Sequence, residues 1–86
     1  MTLDNKIIVK LYVPKIEEEY DVEIPLNKQI YIIIELLVKA VNELCGGYYK
    51  PSKMPMLYDK ITAKAYDVNL TVIETPLRNG SEIVLF

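Results

Sequence analysis

The chain has 86 residues, 10 Lys and Arg against 12 Asp and Glu, a formal charge of −2, no His, no Trp, one Cys and an apolar share of 51%. A chain of this length builds one core, burying about 60–65% of the surface it exposes when unfolded. One thiol and no imidazole exclude an internal disulfide, an iron–sulfur cluster and a Cys- or His-built zinc site, and they remove the usual general base near neutral pH; neither a cofactor, a bound metal nor an enzyme is expected.

Residues 1–5 read as a polar lead-in that frays. Ile7 to Val13 reads as a strand, with Ile7, Val9, Leu11 and Val13 on one face and Ile8, Lys10 and Tyr12 on the other. Pro14 stops it, residues 14–18 turn the chain, and Glu19 to Ile24 returns as a second strand. There the alternation is clean, Tyr20, Val22 and Ile24 inward against Glu19, Asp21 and Glu23 outward, so the pair is expected to be an antiparallel hairpin with one wet face.

After Pro25 the apolar period changes from two to 3.6. Asn27 is the expected N-cap, and Leu26 with Tyr31 has the spacing of a hydrophobic staple. The helix is expected from about Lys28 to Leu44, ending at Gly46-Gly47 where glycine takes the left-handed conformation cheaply. At about 100° per residue, Ile30, Ile33, Ile34, Leu37, Val41 and Leu44 form its apolar stripe. Gly46 to Pro55 reads as an ordered loop and Met56 to Asp59 as a short strand. A further short strand is expected within Ile61 to Tyr66, and a helical turn or irregular connection in 69–76. Asn79-Gly80 signals a turn into a last strand, Ser81 to Phe86.

One helix and four or five strands close a core in few ways. The helix lays its stripe across one face of a mixed sheet, the hairpin lies to one side, and the C-terminal strand inserts beside the first. This is an α+β fold, the β-grasp or ubiquitin-like architecture, as a single domain over 1–86. A two-helix ferredoxin-like arrangement lacks its second helix, because 60–76 shows no three-to-four periodicity.

Over residues 6–86 the chain resembles the ubiquitin-like YukD/EsaB group that accompanies type VII (WXG100) secretion systems in Gram-positive bacteria. The resemblance rests on the Ile7–Val13 and Glu19–Ile24 hairpin, the Pro25-Leu26-Asn27 entry to one long helix, and the ending Leu77-Arg78-Asn79-Gly80-Ser81-Glu82-Ile83-Val84-Leu85. It implies a non-catalytic cytosolic accessory factor whose partners are other proteins of the apparatus. It supplies no catalytic residues to carry over.

Two other classes compete with this reading. A ubiquitin-like sulfur carrier or modifier needs a flexible tail ending in Gly-Gly, whereas this sequence ends Leu85-Phe86 inside an expected strand and its Gly46-Gly47 is explained as a helix stop. A nucleic-acid binder needs a basic footprint; Lys50, Lys53, Lys60 and Lys64 interleave with Tyr48, Tyr49, Tyr58 and Tyr66, but the balance is acidic. Ile30 to Leu44 is too short and too interrupted by charge for a membrane span, and no signal-peptide pattern opens the chain, so a cytoplasmic location without direct membrane insertion is expected. Cys45 is expected to be a bland, partly buried residue, and the acids from Glu17 to Glu23 a solvated turn and strand face.

The candidate interaction surface is Ile32 and Leu36, one helical turn apart and away from the core stripe, with Tyr48 and Tyr49 in the following loop. It would meet an apparatus component or a second copy in a homodimer. The outer sheet face and strand addition at a free sheet edge are the other modes open to such a domain.

Overall fold

The computed structural model describes residues 5–86; of the expected lead-in, residues 1–4 lie outside the described residues. In chain order it contains β1 (Lys6–Val13), a 3-10 turn (Pro14–Ile16), β2 (Glu18–Pro25), α1 (Ile30–Leu44), β3 (Leu57–Asp59), a second 3-10 turn (Val72–Glu74) and β4 (Glu82–Leu85). The four strands form one mixed sheet in the order β2-β1-β4-β3. β1 runs antiparallel to β2 and parallel to β4, and β3 is antiparallel to β4. One helix on such a sheet is the ubiquitin-like β-grasp.

The two-residue period of β1 decides where everything lies. Ile7, Val9, Leu11 and Val13 are all buried, and they meet Ile24, Leu57, Ile83 and Leu85 from the other strands beneath Ile30, Ile33, Ile34, Leu37 and Val41 of α1. Asn5 is anchored rather than frayed, since its carbonyl accepts the Leu26 N–H at 2.6 Å and lengthens the hairpin ladder by a step.

The helix begins later than local signals suggest. Its N-cap is Gln29, not Asn27, and no side chain caps it. Instead the chain brings a remote segment to this end: Ile30 N–H donates to the Leu70 carbonyl at 2.8 Å and Tyr31 N–H to the Val68 carbonyl at 3.1 Å. Val72 and Ile73 return bonds to the carbonyls of Lys28 and Leu26, both at 3.0 Å. Orphan amides that a capping side chain normally satisfies are thus met by backbone about forty residues away, and with Gln29 as N-cap Leu26 and Tyr31 do not hold the N′ and N4 positions of a staple. At the other end Gly46 and Gly47 have φ of 72° and 92°, and the Gly47 N–H reaches back to the Asn42 carbonyl at 2.8 Å, as expected of a glycine stop.

One further expectation changes. The stretch from Ile61 to Tyr66 is no strand; it is a turn touching β3 through one bridge, Tyr58 to Ala65. Asn79-Gly80 is the expected turn into the last strand, β4, which lies parallel to β1. The Asn79 Oδ1 accepts the Ile8 N–H at 2.9 Å and the Gly80 N–H donates to the Ile8 carbonyl at 2.8 Å, so the pair latches the start of β4 onto the central strand. Gly80 does this with φ of 84°, a conformation that a side chain strains.

Leu37 sits at the middle of the buried stripe. Replacing it by alanine leaves a cavity against the sheet and is expected to lower the unfolding free energy by about 2–5 kcal/mol. Urea titration of Leu37→Ala checks this, and an unchanged midpoint contradicts the stated helix facing.

Candidate interaction surface

The four residues singled out from the sequence do not share one surface. Leu36 is 49% exposed and Ile32 is half-buried. Tyr48 is 83% exposed at the far end of the helix, whereas Tyr49 is 2% exposed and belongs to the core. Extended backbone sends successive side chains to opposite sides, so of two adjacent tyrosines one closes the core and the other faces water. Burial raises the Tyr49 phenol pKa, and its hydroxyl has no hydrogen-bond partner among the described residues. Tyr49 is therefore a core residue and no part of an interaction surface. Ile32 and Leu36 stay as an isolated pair, since Tyr48 lies past the helix end, and twelve residues of helix from Ile32 to Leu44 span about 18 Å.

Leu44 takes the place of Tyr49. By angle it belongs to the buried stripe, but in the last turn of α1 it is 61% exposed and stands outside the core. With Cys45 and Tyr48 it forms one side of an open groove of about 500 Å³ whose other side is Ile16, Glu18 and Tyr20 from the hairpin. The groove is mostly apolar and its charge is negative. Glu18 stands on its rim, and the last helical turn carries no basic residue to offset its carbonyl dipoles. Burial first, then the nearby Glu18 and Cys45, raise the Tyr20 phenol pKa, so Tyr20 remains a neutral donor at ordinary pH. The Cys45 thiol points back to the Asn42 carbonyl at 3.8 Å and has no basic partner there.

The outer face of the sheet is of another kind. By register, Asp21, Lys10, Glu82 and Lys60 follow one another across it in alternating charge. The Lys60 Nζ lies 3.5 Å from Glu19, 3.8 Å from Glu82 and 5.4 Å from the centre of the Tyr12 ring. Lys6 and Glu23 pair at 3.3 Å. These charges largely answer one another, which suits a solvated face.

The sheet's two margins also differ. Beyond β3 the 64–66 backbone is applied along the strand: Asp59 N–H donates to the Lys64 carbonyl at 2.9 Å and Tyr66 N–H to the Leu57 carbonyl at 3.0 Å. Asp59 secures this cover, its carboxylate accepting the N–H groups of Ile61 at 2.8 Å and Thr62 at 3.0 Å and the Tyr66 hydroxyl at 3.3 Å. Those amide bonds, Thr62 first, hold the Asp59 carboxyl below its ordinary value, and burial followed by the Asp59 charge and hydrogen bond pushes Tyr66 up to about 12. Beyond β2 no such cover exists among the described residues.

Among the described residues no group of three or more His, Cys, Asp or Glu is placed to hold a metal ion, and no helix is long and apolar enough to cross a membrane.

No family model matches the sequence, and no curated protein does. Solved structures do match in fold. The EccD5 ubiquitin-like domain from Mycobacterium xenopi superposes with a TM-score of 0.81 at 19% identity, covering 96% of this chain and 94% of that one. A chain of the MycP5-free ESX-5 inner membrane complex gives 0.81 at 12% identity over 96% of this chain, which spans 21% of that longer chain. The ubiquitin-like domain of the Mycobacterium tuberculosis type VII secretion system protein EccD1 gives 0.74 at 11% identity, covering 93% and 96%. A plant ubiquitin-like domain and a chain of a toluene 4-monooxygenase complex also match, so at these identities the likeness shows the fold alone.

Two measurements check this description. Tyr48→Ala and Leu44→Ser are expected to alter stability by no more than about 0.5 kcal/mol, whereas Tyr49→Ala costs about 3–5 kcal/mol and Tyr49→Phe is neutral or stabilising, because it removes an unpartnered buried hydroxyl. Thermal melts of the four variants decide it. The stability that Asp59 contributes is full above its ordinary value of 3.8 and is lost as pH falls through its lowered folded value. Asp59→Asn should therefore be less stable at neutral pH and lose less stability than wild type between about pH 5 and 2; parallel pH–stability curves contradict the latch.

Proposed function

We propose that this protein is a non-catalytic ubiquitin-like interaction module serving as an accessory component of a type VII (WXG100) secretion apparatus, of the YukD/EsaB kind, on the cytosolic side of the membrane. The observation that carries the reading is the near end-to-end superposition on EccD ubiquitin-like domains of such systems, 96% of this chain on EccD5 at a TM-score of 0.81. A second support is a chain of an inner membrane complex that contains this same fold within a longer polypeptide. The absence of any histidine and the contact of the Cys45 thiol with the Asn42 carbonyl rather than with a basic group favour recognition over chemistry. The acidic groove and β2 strand speak against a nucleic-acid partner, whose phosphates they would repel.

Deleting the gene in its native host is expected to bring export of WXG100 substrates to background, and a tagged chain is expected to co-isolate membrane components of the apparatus. Cys45→Ser should restore export in full. Undiminished export in the deletion strain overturns the secretion role, and failure of Cys45→Ser to complement, with a normal melt, overturns the non-catalytic one.

A further inference from the structure

The β1–β2 ladder alternates in a way that leaves a row of backbone groups unused. On its other side β1 is bonded through its even residues: Lys10 N–H donates to the Ser81 carbonyl, and Ile8 meets Asn79 and Gly80. Its odd residues therefore bond β2, through Glu18, Tyr20, Val22 and Ile24 by register. The N–H and C=O groups of Glu19, Asp21 and Glu23 then point away from the sheet, along the margin that nothing covers among the described residues. Just inside that margin, on the helix side, lies the groove formed by Ile16, Tyr20, Leu44, Cys45 and Tyr48.

We propose that the outer edge of β2 is a strand acceptor, and that its occupant is an extended segment of a partner protein in which basic and apolar residues alternate. Strand addition satisfies the unused backbone groups, which a docked helix would leave wasted. An added strand sends alternate side chains to opposite faces. On the helix side apolar ones enter the groove, and on the outer side basic ones come opposite Glu19, Asp21 and Glu23.

Charge selects the occupant. Glu17, Glu18, Glu19, Asp21 and Glu23 are five acids within seven residues, and no Lys or Arg occurs from Glu17 to Pro25. Lys60 and Lys6 lie 3.5 and 3.3 Å from Glu19 and Glu23, but as exposed pairs they leave carboxylate oxygens that an incoming cationic strand can share. A second copy pairing β2 against β2 would bring ten carboxylates to one seam, and like charges opposite one another destabilise a ladder. The acids that guard the edge against self-pairing are those that attract a cationic strand.

The probe is an acetylated and amidated peptide, Lys-Val-Lys-Val-Lys-Val-Lys, compared with its block isomer Lys-Lys-Lys-Lys-Val-Val-Val by NMR titration and amide hydrogen exchange on the full chain. The alternating peptide is expected to slow exchange at the Glu19, Asp21 and Glu23 amides. It should bind about tenfold more tightly than the block isomer, and the surface double variant Asp21→Lys, Glu23→Lys should weaken it about tenfold, as several cross-strand charge pairs require. Equal binding of the two isomers, no protection on β2, or indifference to the double variant overturns the proposal. It rests on reading the chain as an interaction module, but not on the secretion pathway. Absent peptide binding with secretion components still co-isolating removes only the edge; β2 protection with undiminished export in the deletion strain removes only the pathway.

Discussion

The structure depends on β1 being bonded on both sides while burying one whole face. Its odd residues give their backbone to β2 and their side chains, Ile7, Val9, Leu11 and Val13, to the core; its even residues give their backbone to β4 and the Asn79-Gly80 latch. A slip of one residue would exchange the two sets, exposing four aliphatic side chains and burying Lys10. With each buried aliphatic side chain worth about 1.5–3 kcal/mol and net stabilities of about 5–15 kcal/mol, such a slip is not survivable. The register of the sheet, and with it the facing of every carboxylate on β2, follows from this strand.

A chain that closes its core around a central strand must leave two margins, and here they are treated unequally. β3 spans only three residues and is covered by the 64–66 backbone that Asp59 holds in place. β2 spans eight and has no such cover among the described residues, only exposed acids. Covering an edge removes it from interaction, whereas charging an edge restricts it to partners of the opposite sign. The acids of β2 therefore do more than solvate a strand, and they begin beside the apolar groove at the end of α1.

At the start of α1 backbone hydrogen bonds tie the helix and the end of the hairpin to the connection between β3 and β4. The first amides of α1 are met by the carbonyls of Val68 and Leu70, and the Val72–Glu74 turn docks on residues 26–28. Glu74 accepts both the N–H and the hydroxyl of Thr71, which keeps its carboxyl below the ordinary value and stiffens the turn. The long connection between β3 and β4 thus serves as a cap for the start of α1.

Period and breakers in the sequence were sufficient for much of this. Alternation in 7–13 and 19–24, the 3.6 spacing from Ile30 to Val41, and Pro14, Pro25 and Gly46-Gly47 as boundaries determine the hairpin, the helix and its buried face, because those signals are local and each is tied to one backbone geometry. The β-grasp then follows from the few ways of covering that stripe. What only the tertiary structure decided was whatever depends on distance along an element or on remote partners: Leu44 lies on the stripe yet is exposed, Tyr49 turns inward while Tyr48 turns out, and the cap of α1 comes from residues 68–70 rather than Asn27. Above all, the outward row of acids on β2 is legible residue by residue, but that its backbone lies on an uncovered margin beside an apolar groove is a property of strand order, which no local period encodes.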